Sequence, residues 1–162
     1  KSATKRASSV PRRGAFSASK SVPSTTGQAG AVDEETFSRA FRDVPTINLF
    51  SARELEEQLT AIRETIADAN KDWSKRVESL KKVRSLLIAG ASGFDELYVH
   101  LRLLEQPFQT SVKDLRSQVV REACYTIAYI SEQLGHKADH FAEQLLNSLI
   151  NLIQNSAKEF VN

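Results

Sequence analysis

From Ser51 onward, apolar residues return every three to four positions, the period of a helix buried along one face. "SARE", Ser51 to Glu54, is a capping box that opens a first helix with Leu55, Leu59, Ile62 and Ile66 on its inner face. Asp72 heads a second helix with Val77, Leu80, Val83 and Leu87 inward, stopping near Gly90. A third is predicted from Ser92 to about Glu105 on Phe94, Leu97, Leu101 and Leu104, with Pro107 ending it. The fourth and longest is predicted to start near Ser111. Its stripe is Val119, Ala123, Ile127, Ile130 and Leu134, and Gly135 is the expected stop. A fifth spans about Ala138 to Gln154 on Phe141, Leu145, Leu149 and Leu152, and "SAKE", Ser156 to Glu159, reads as the cap of a sixth. Alternating strand patterns and Asn-Gly or Asp-Gly hairpins are missing, so the fold class is all-α.

The predicted helices come in pairs, and the pairs repeat. Val77, Leu80 and Leu87 align with Val120, Ala123 and Ile130 at one constant offset. That offset falls in the roughly 40–47-residue period of HEAT-type arrays, whose unit is two antiparallel helices. "DLRSQVVREA", Asp114 to Ala123, has the second-helix pattern of such a unit, an acid leading into Val-Arg. Stacked helix pairs fit this periodicity better than a plain bundle does.

Charge divides the chain. Of its 22 basic residues, six (Lys1, Lys5, Arg6, Arg12, Arg13 and Lys20) lie in residues 1–31 with no acid among them. The remaining bases are outnumbered by the 20 acids, all of which lie in residues 32–162, so a mildly acidic body follows a basic tail. The tail is rich in Ser, Ala, Gly and Pro and has little to bury, which predicts a disordered linker over 1–31. It lacks the apolar run of a secretory signal, and its opening Lys reads as that of an internal fragment. One cysteine, Cys124, rules out an internal disulfide. No apolar run approaches the ~20 residues of a membrane span, so the expectation is a soluble, intracellular chain.

Stacking the pairs predicts that every within-pair loop lies on one edge, at Ala69–Trp73, Pro107–Lys113 and Gln154–Lys158. Each closes on a base followed by an acid: Lys71-Asp72, Lys113-Asp114 and Lys158-Glu159. The acid complements the macrodipole of the helix it starts; the lysine does not, and needs another reason. Trp73, the single tryptophan, sits among these charges. From the residues alone it is either a core residue at a helix start or an exposed anchor for an acidic partner.

"KDWSKRVESLKKVRSLLIAGA", "HLRLLEQPFQTSVKDLRSQVVREAC" and "NLIQNSAK" resemble the second TOG domain of the CLASP family, as does the lead-in from Val32. The resemblance runs from about Val32 to Lys158. It implies a TOG-type HEAT α-solenoid, here truncated to about two and a half repeats over residues 32–162. TOG domains bind tubulin through their within-repeat loops, with a tryptophan in the first and basic residues later. The implied tubulin-binding residues are therefore Trp73, Lys71 and Arg76, then Lys113, then Lys158, and the resemblance favours the partner-facing reading of Trp73. Phe37, Phe41 and Ile47 resemble the N-terminal piece that packs on the first repeat of this domain. The implied function is that of a microtubule-binding adaptor that suppresses catastrophe and promotes rescue at plus ends. Its implied locations are cytoplasm and cytoskeleton, including spindle, kinetochore and cell cortex.

In the tail, Ser8, Ser9, Val10 and Pro11 resemble the Ser-x-Ile-Pro motif that engages end-binding proteins, with valine in place of isoleucine. Six positive charges on a tether also suit an acidic microtubule surface, and phosphorylation of Ser8, Ser9, Ser17, Ser19 or Ser21 would weaken that attraction. This accounts for the tail better than a transit peptide does. Elsewhere the chemistry is sparse. His136 and His140, four apart with Asp139 between them, lack a third strong ligand, and His136 follows the Gly135 stop, so no metal is expected. Cys124 reads as a small core filler, and Arg121 and Glu122 as inter-repeat ion-pair residues. Without a Gly-rich phosphate loop, neither a cofactor nor an enzyme is supported. The acidic body lacks a basic helix face with aromatics, so nucleic acid is not an expected partner. The competing reading is a generic HEAT scaffold for a protein other than tubulin.

Overall fold

The computed structural model describes residues 32–159. The linker over 1–31, with its Ser8–Pro11 motif and serines, lies outside the described residues. Those residues form six α-helices: α1 (Glu34–Arg42), α2 (Ala52–Ala67), α3 (Trp73–Ile88), α4 (Glu96–Val112), α5 (Ser117–Leu134) and α6 (Asp139–Glu159). Short 3₁₀ turns at Ala91–Gly93 and Gly135–Ala138 link α3 to α4 and α5 to α6. Gly90 and Gly135 take positive φ, at 97° and 53°, and end α3 and α5 where other residues would be strained.

The helices stack in two layers. α2, α4 and α6 form one row, with α2 packed on α4 and α4 on α6; α3 packs on α5 in the other row. α2/α3 and α4/α5 are therefore successive HEAT-type pairs, and α6 is the first helix of a third. The predicted stripes form the core: Leu55, Leu59, Ile62, Ile66, Leu80 and Val83 in the first pair, and Leu97, Leu101, Leu104, Val119, Ala123 and Ile130 in the second. Residues aligned by the repeat also match in burial, with Leu80, Ala123, Leu87 and Ile130 buried and Val77 and Val120 half-buried.

α1 extends the expected N-terminal packing. Asp33 caps it by accepting the Thr36 amide at 2.8 Å. Phe41 is buried, and Phe37 and Ile47 are half-buried against the core. α1 reaches beyond the first repeat, however. Phe37 lies 5.5 Å from Tyr125 and Phe41 5.3 Å from Tyr129 between ring centroids, so the aromatic pairs tie α1 to α5 as well as α3.

Three expected boundaries are corrected. First, the third predicted helix starts at Glu96 rather than Ser92 and runs through Pro107 to Val112. An interior proline costs a helix ~3 kcal/mol. Here the apolar stripe continues past it to Phe108 and Val112, both essentially inaccessible, and burying two such side chains offsets that cost at ~1.5–3 kcal/mol each. Secondly, the next helix starts at Ser117 and not near Ser111, which moves the second loop from 107–113 to Lys113–Arg116. Thirdly, α6 is unbroken from Asp139 to Glu159, so there is no loop at 154–158 and "SAKE" lies inside the helix. No Gly or Pro interrupts that stretch, and Ala, Lys and Glu are strong helix formers in a helix interior.

Candidate functional site

The site is the edge where α2 turns into α3 and α4 into α5. The first loop is held by Asp68, whose Oδ1 accepts the Asn70 amide at 2.9 Å while its carbonyl accepts the Lys71 amide at 3.2 Å. Asp72 then caps α3. Its Oδ1 accepts the Ser74 amide at 2.8 Å and the Ser74 hydroxyl at 2.7 Å. These hydrogen bonds, side chain first and backbone second, hold the Asp72 carboxyl below the usual carboxylate range, and Lys75 and Arg116 add to the effect. In the second loop, Asp114 Oδ1 accepts the Arg116 amide at 2.8 Å.

Arg76 joins the two loops. One guanidinium nitrogen donates to Asp114 Oδ2, and Nε donates to the Lys71 carbonyl at 3.2 Å. Both side chains are buried, at 6% and 7% accessibility. Arg76 thus fixes the backbone of the first loop through Lys71 and that of the second through Asp114. The resemblance implies that Arg76 is a contact residue. In the structure its side chain is buried at the floor of the edge, with Nε and one terminal nitrogen engaged within the protein.

Between the loops lies an open groove of about 610 Å³. Trp73, the first residue of α3, lines it at 39% exposure. That is a half-open position, neither core nor free in water. Lys71 and Lys113 line the same groove and are exposed. Lys158 falls in the last turn of α6. α6 runs parallel to α4, with Lys137 beside Tyr98, His140 beside Glu105 and Gln144 beside Gln109, so its C-terminal end heads toward the loop edge.

Two residues that the sequence did not single out also line the groove, Leu115 and Arg116. Arg116 is exposed at the head of α5, and Leu115 is fully exposed, at 101%. Excluding the Arg76–Asp114 pair, Lys71, Lys113 and Arg116 face one acid, Asp72, so the rim is basic although the body is acidic. The pairing of lysine with acid in each loop was a signal for Lys71 and Lys113. Nothing comparable marked Leu115.

The other singled-out residues lie away from this edge. Glu122 Oε2 accepts from Arg84 at 2.8 Å, the inter-repeat ion pair expected of it, whereas Arg121, expected to form one too, is exposed and makes none among the described residues. Cys124 is half-buried, and burial pushes its thiol up. His136 lies in the 3₁₀ turn, 3.5 Å from Asp139, and His140 Nδ1 lies 2.6 Å from Glu105 on α4. Among the described residues no group of three His, Cys, Asp or Glu is placed to hold a metal, and no helix is long and apolar enough to cross a membrane.

Fold and edge together define a HEAT-type α-solenoid with its within-repeat loops along one edge. The chain belongs to the CLASP family: residues 54–161 match the family model for the CLASP N-terminal region. It is 54% identical over 130 residues to CLIP-associating protein 1 of Xenopus tropicalis, an alignment covering 80% of this chain and 9% of that protein. It is 46% identical over 139 residues to the CLIP-associating protein of Drosophila melanogaster, covering 85% and 9%. Similarity extends to CLASP-3 of Caenorhabditis elegans, at 35% over 130 residues, or 79% of this chain and 13% of that one. The chain spans about a tenth of the length of these relatives.

Proposed function

We propose that this chain is a non-catalytic, microtubule-binding part of a CLASP protein, and that its loop edge docks on tubulin. The observation that carries the reading is Trp73, half-exposed on an edge where Lys71 and Lys113 line the same groove. Tryptophan is the most effective interface anchor because it buries a large rigid surface at little entropic cost, and lysines around it orient an acidic partner. Tubulin supplies such a surface. Trp73, Lys71 and Lys113 are the contact residues in this reading, Arg76 supports them from below, and Lys158, in the last turn of α6, is a further basic contact that the family resemblance implies. Catastrophe suppression and rescue at plus ends, and residence at spindle, kinetochore and cortex, follow from the family as the cellular use of that contact. The 1–31 segment adds a charge-driven attraction to the lattice, and Ser8–Pro11 a docking motif for end-binding proteins.

Microtubule co-pelleting of the whole chain with Trp73 or Trp73→Ala tests this, with circular dichroism on the same samples. The expected outcome is equal helicity and a loss of pelleting of about 30-fold or more in affinity, the size of a central anchor. Binding unchanged in the alanine variant would show that the edge serves another partner, as a general HEAT scaffold would.

A further inference from the structure

The second loop carries an apolar residue that packing does not explain. Leu115 lies one residue past Asp114 and two before α5 begins, and its side chain is wholly in water. A lone exposed leucine is ordinary on a protein surface. Leu115 differs in three ways. Its turn is ordered on both sides: the Asp114 amide donates to the Ser111 carbonyl at 3.3 Å, and Asp114 Oδ1 accepts from Arg116. It shares one groove with the only tryptophan. Three cations, Lys71, Lys113 and Arg116, line that groove against one acid outside the Arg76–Asp114 pair, Asp72.

We infer that Leu115 is a second apolar anchor of the docking edge, and that the groove between Trp73 and Leu115 takes an apolar ridge flanked by acids on the tubulin surface. This rests on the docking reading above and assigns a residue to it. The buried Arg76–Asp114 pair is what makes two anchors possible, because it fixes the loop that bears Leu115 to the loop that precedes Trp73. Lysines alone would give an orientation that salt screens. Two apolar points on separate loops fix a register that salt does not remove.

The test is co-pelleting of the full chain with taxane-free microtubules in four forms: unmodified, Leu115→Ala, Leu115→Met and Trp73→Ala, each at low and raised salt. Leu115→Ala is expected to weaken binding about tenfold by removing most of the apolar area of a leucine that becomes buried on docking. Leu115→Met should stay within about twofold, since it keeps the apolar volume. The loss in Leu115→Ala should persist at raised salt, and helicity should be unchanged in every form because the side chain touches no core. Leu115→Ala binding like the unmodified chain while Trp73→Ala fails would overturn the inference and leave the docking reading standing. Unchanged binding in both alanine variants would remove the docking reading and this inference with it. An equal loss in Leu115→Met, or a loss that disappears with salt, would also overturn the inference, since apolar burial would then not be its cause.

Discussion

α3 carries two buried arginines two turns apart, and their surroundings differ in kind. Arg84, in the helix body, is 1% exposed. It donates to Glu122 Oε2 at 2.8 Å, to Thr126 Oγ1 at 2.6 Å, and to the Ala40 carbonyl of α1 at 3.5 Å. Its partners are all on helices, so it fastens α3, α5 and α1 into one body. Arg76, at the helix head, bonds only to loop atoms, the Lys71 carbonyl and Asp114. Arg84 determines whether repeats stack, and Arg76 determines where the loops stand once they have stacked. The same residue type on the same helix serves assembly in one place and presentation in the other. The difference follows from what α5 offers opposite each: Glu122 and Thr126 in mid-helix, Asp114 before the helix starts.

The comparison can be broken most severely at Glu122. Glu122→Ala leaves the Arg84 guanidinium buried without its counter-charge, expected to cost ~3–5 kcal/mol, and should unfold α1, α3 and α5 together in urea followed by circular dichroism. Asp114→Ala leaves Arg76 in the same position beside an open groove that water can enter. The expected loss is smaller, about 2 kcal/mol, with hydrogen exchange rising in the two loops while the helix interiors stay protected. If both substitutions melt the array alike, the division between assembly and presentation is wrong. Trp73→Ala should change stability by about 1 kcal/mol or less while abolishing most of the microtubule binding, the inverse of the Glu122 result.

The mildest expected effect is with pH. The Asp72 carboxyl is held below its ordinary range by Ser74, so its cap is intact at and above that range and is lost only as pH falls through the depressed folded value. Trp73 is adjacent and is the sole tryptophan, so its emission should stay constant down to the ordinary carboxylate range and shift below it. Asp72→Asn should remove that step, and an identical acid transition in the variant would show that the cap does not govern the head of α3.

Much of this was legible in the chain. The stripes from Leu55 to Ile66 and from Val119 to Leu134, the Asp72 cap, the Gly90 and Gly135 stops and the constant repeat offset each express local chemistry, which a sequence carries in full. Helix ends that depend on distant packing were not legible. Pro107 reads as a stop until Phe108 and Val112 are seen buried beyond it, and "SAKE" reads as a start until α6 is seen to pass through it. Arg76 reads as a surface cation, because its partner Asp114 lies 38 residues away and only folding brings them together.

Leu115 marks the limit most clearly. At four and eight residues before Val119 and Ala123 it extends their helical stripe, and by periodicity it belongs to the core. The chain turns at Lys113–Arg116 and starts α5 only at Ser117, so the stripe stops short and Leu115 is left in water. Sequence by itself determined the helical repeat and its polarity, because these rest on spacing and capping along one helix, and its resemblance to known segments pointed to the family. Tertiary structure alone decided which side chains at the loop edge point outward, because that depends on where one repeat ends against the next.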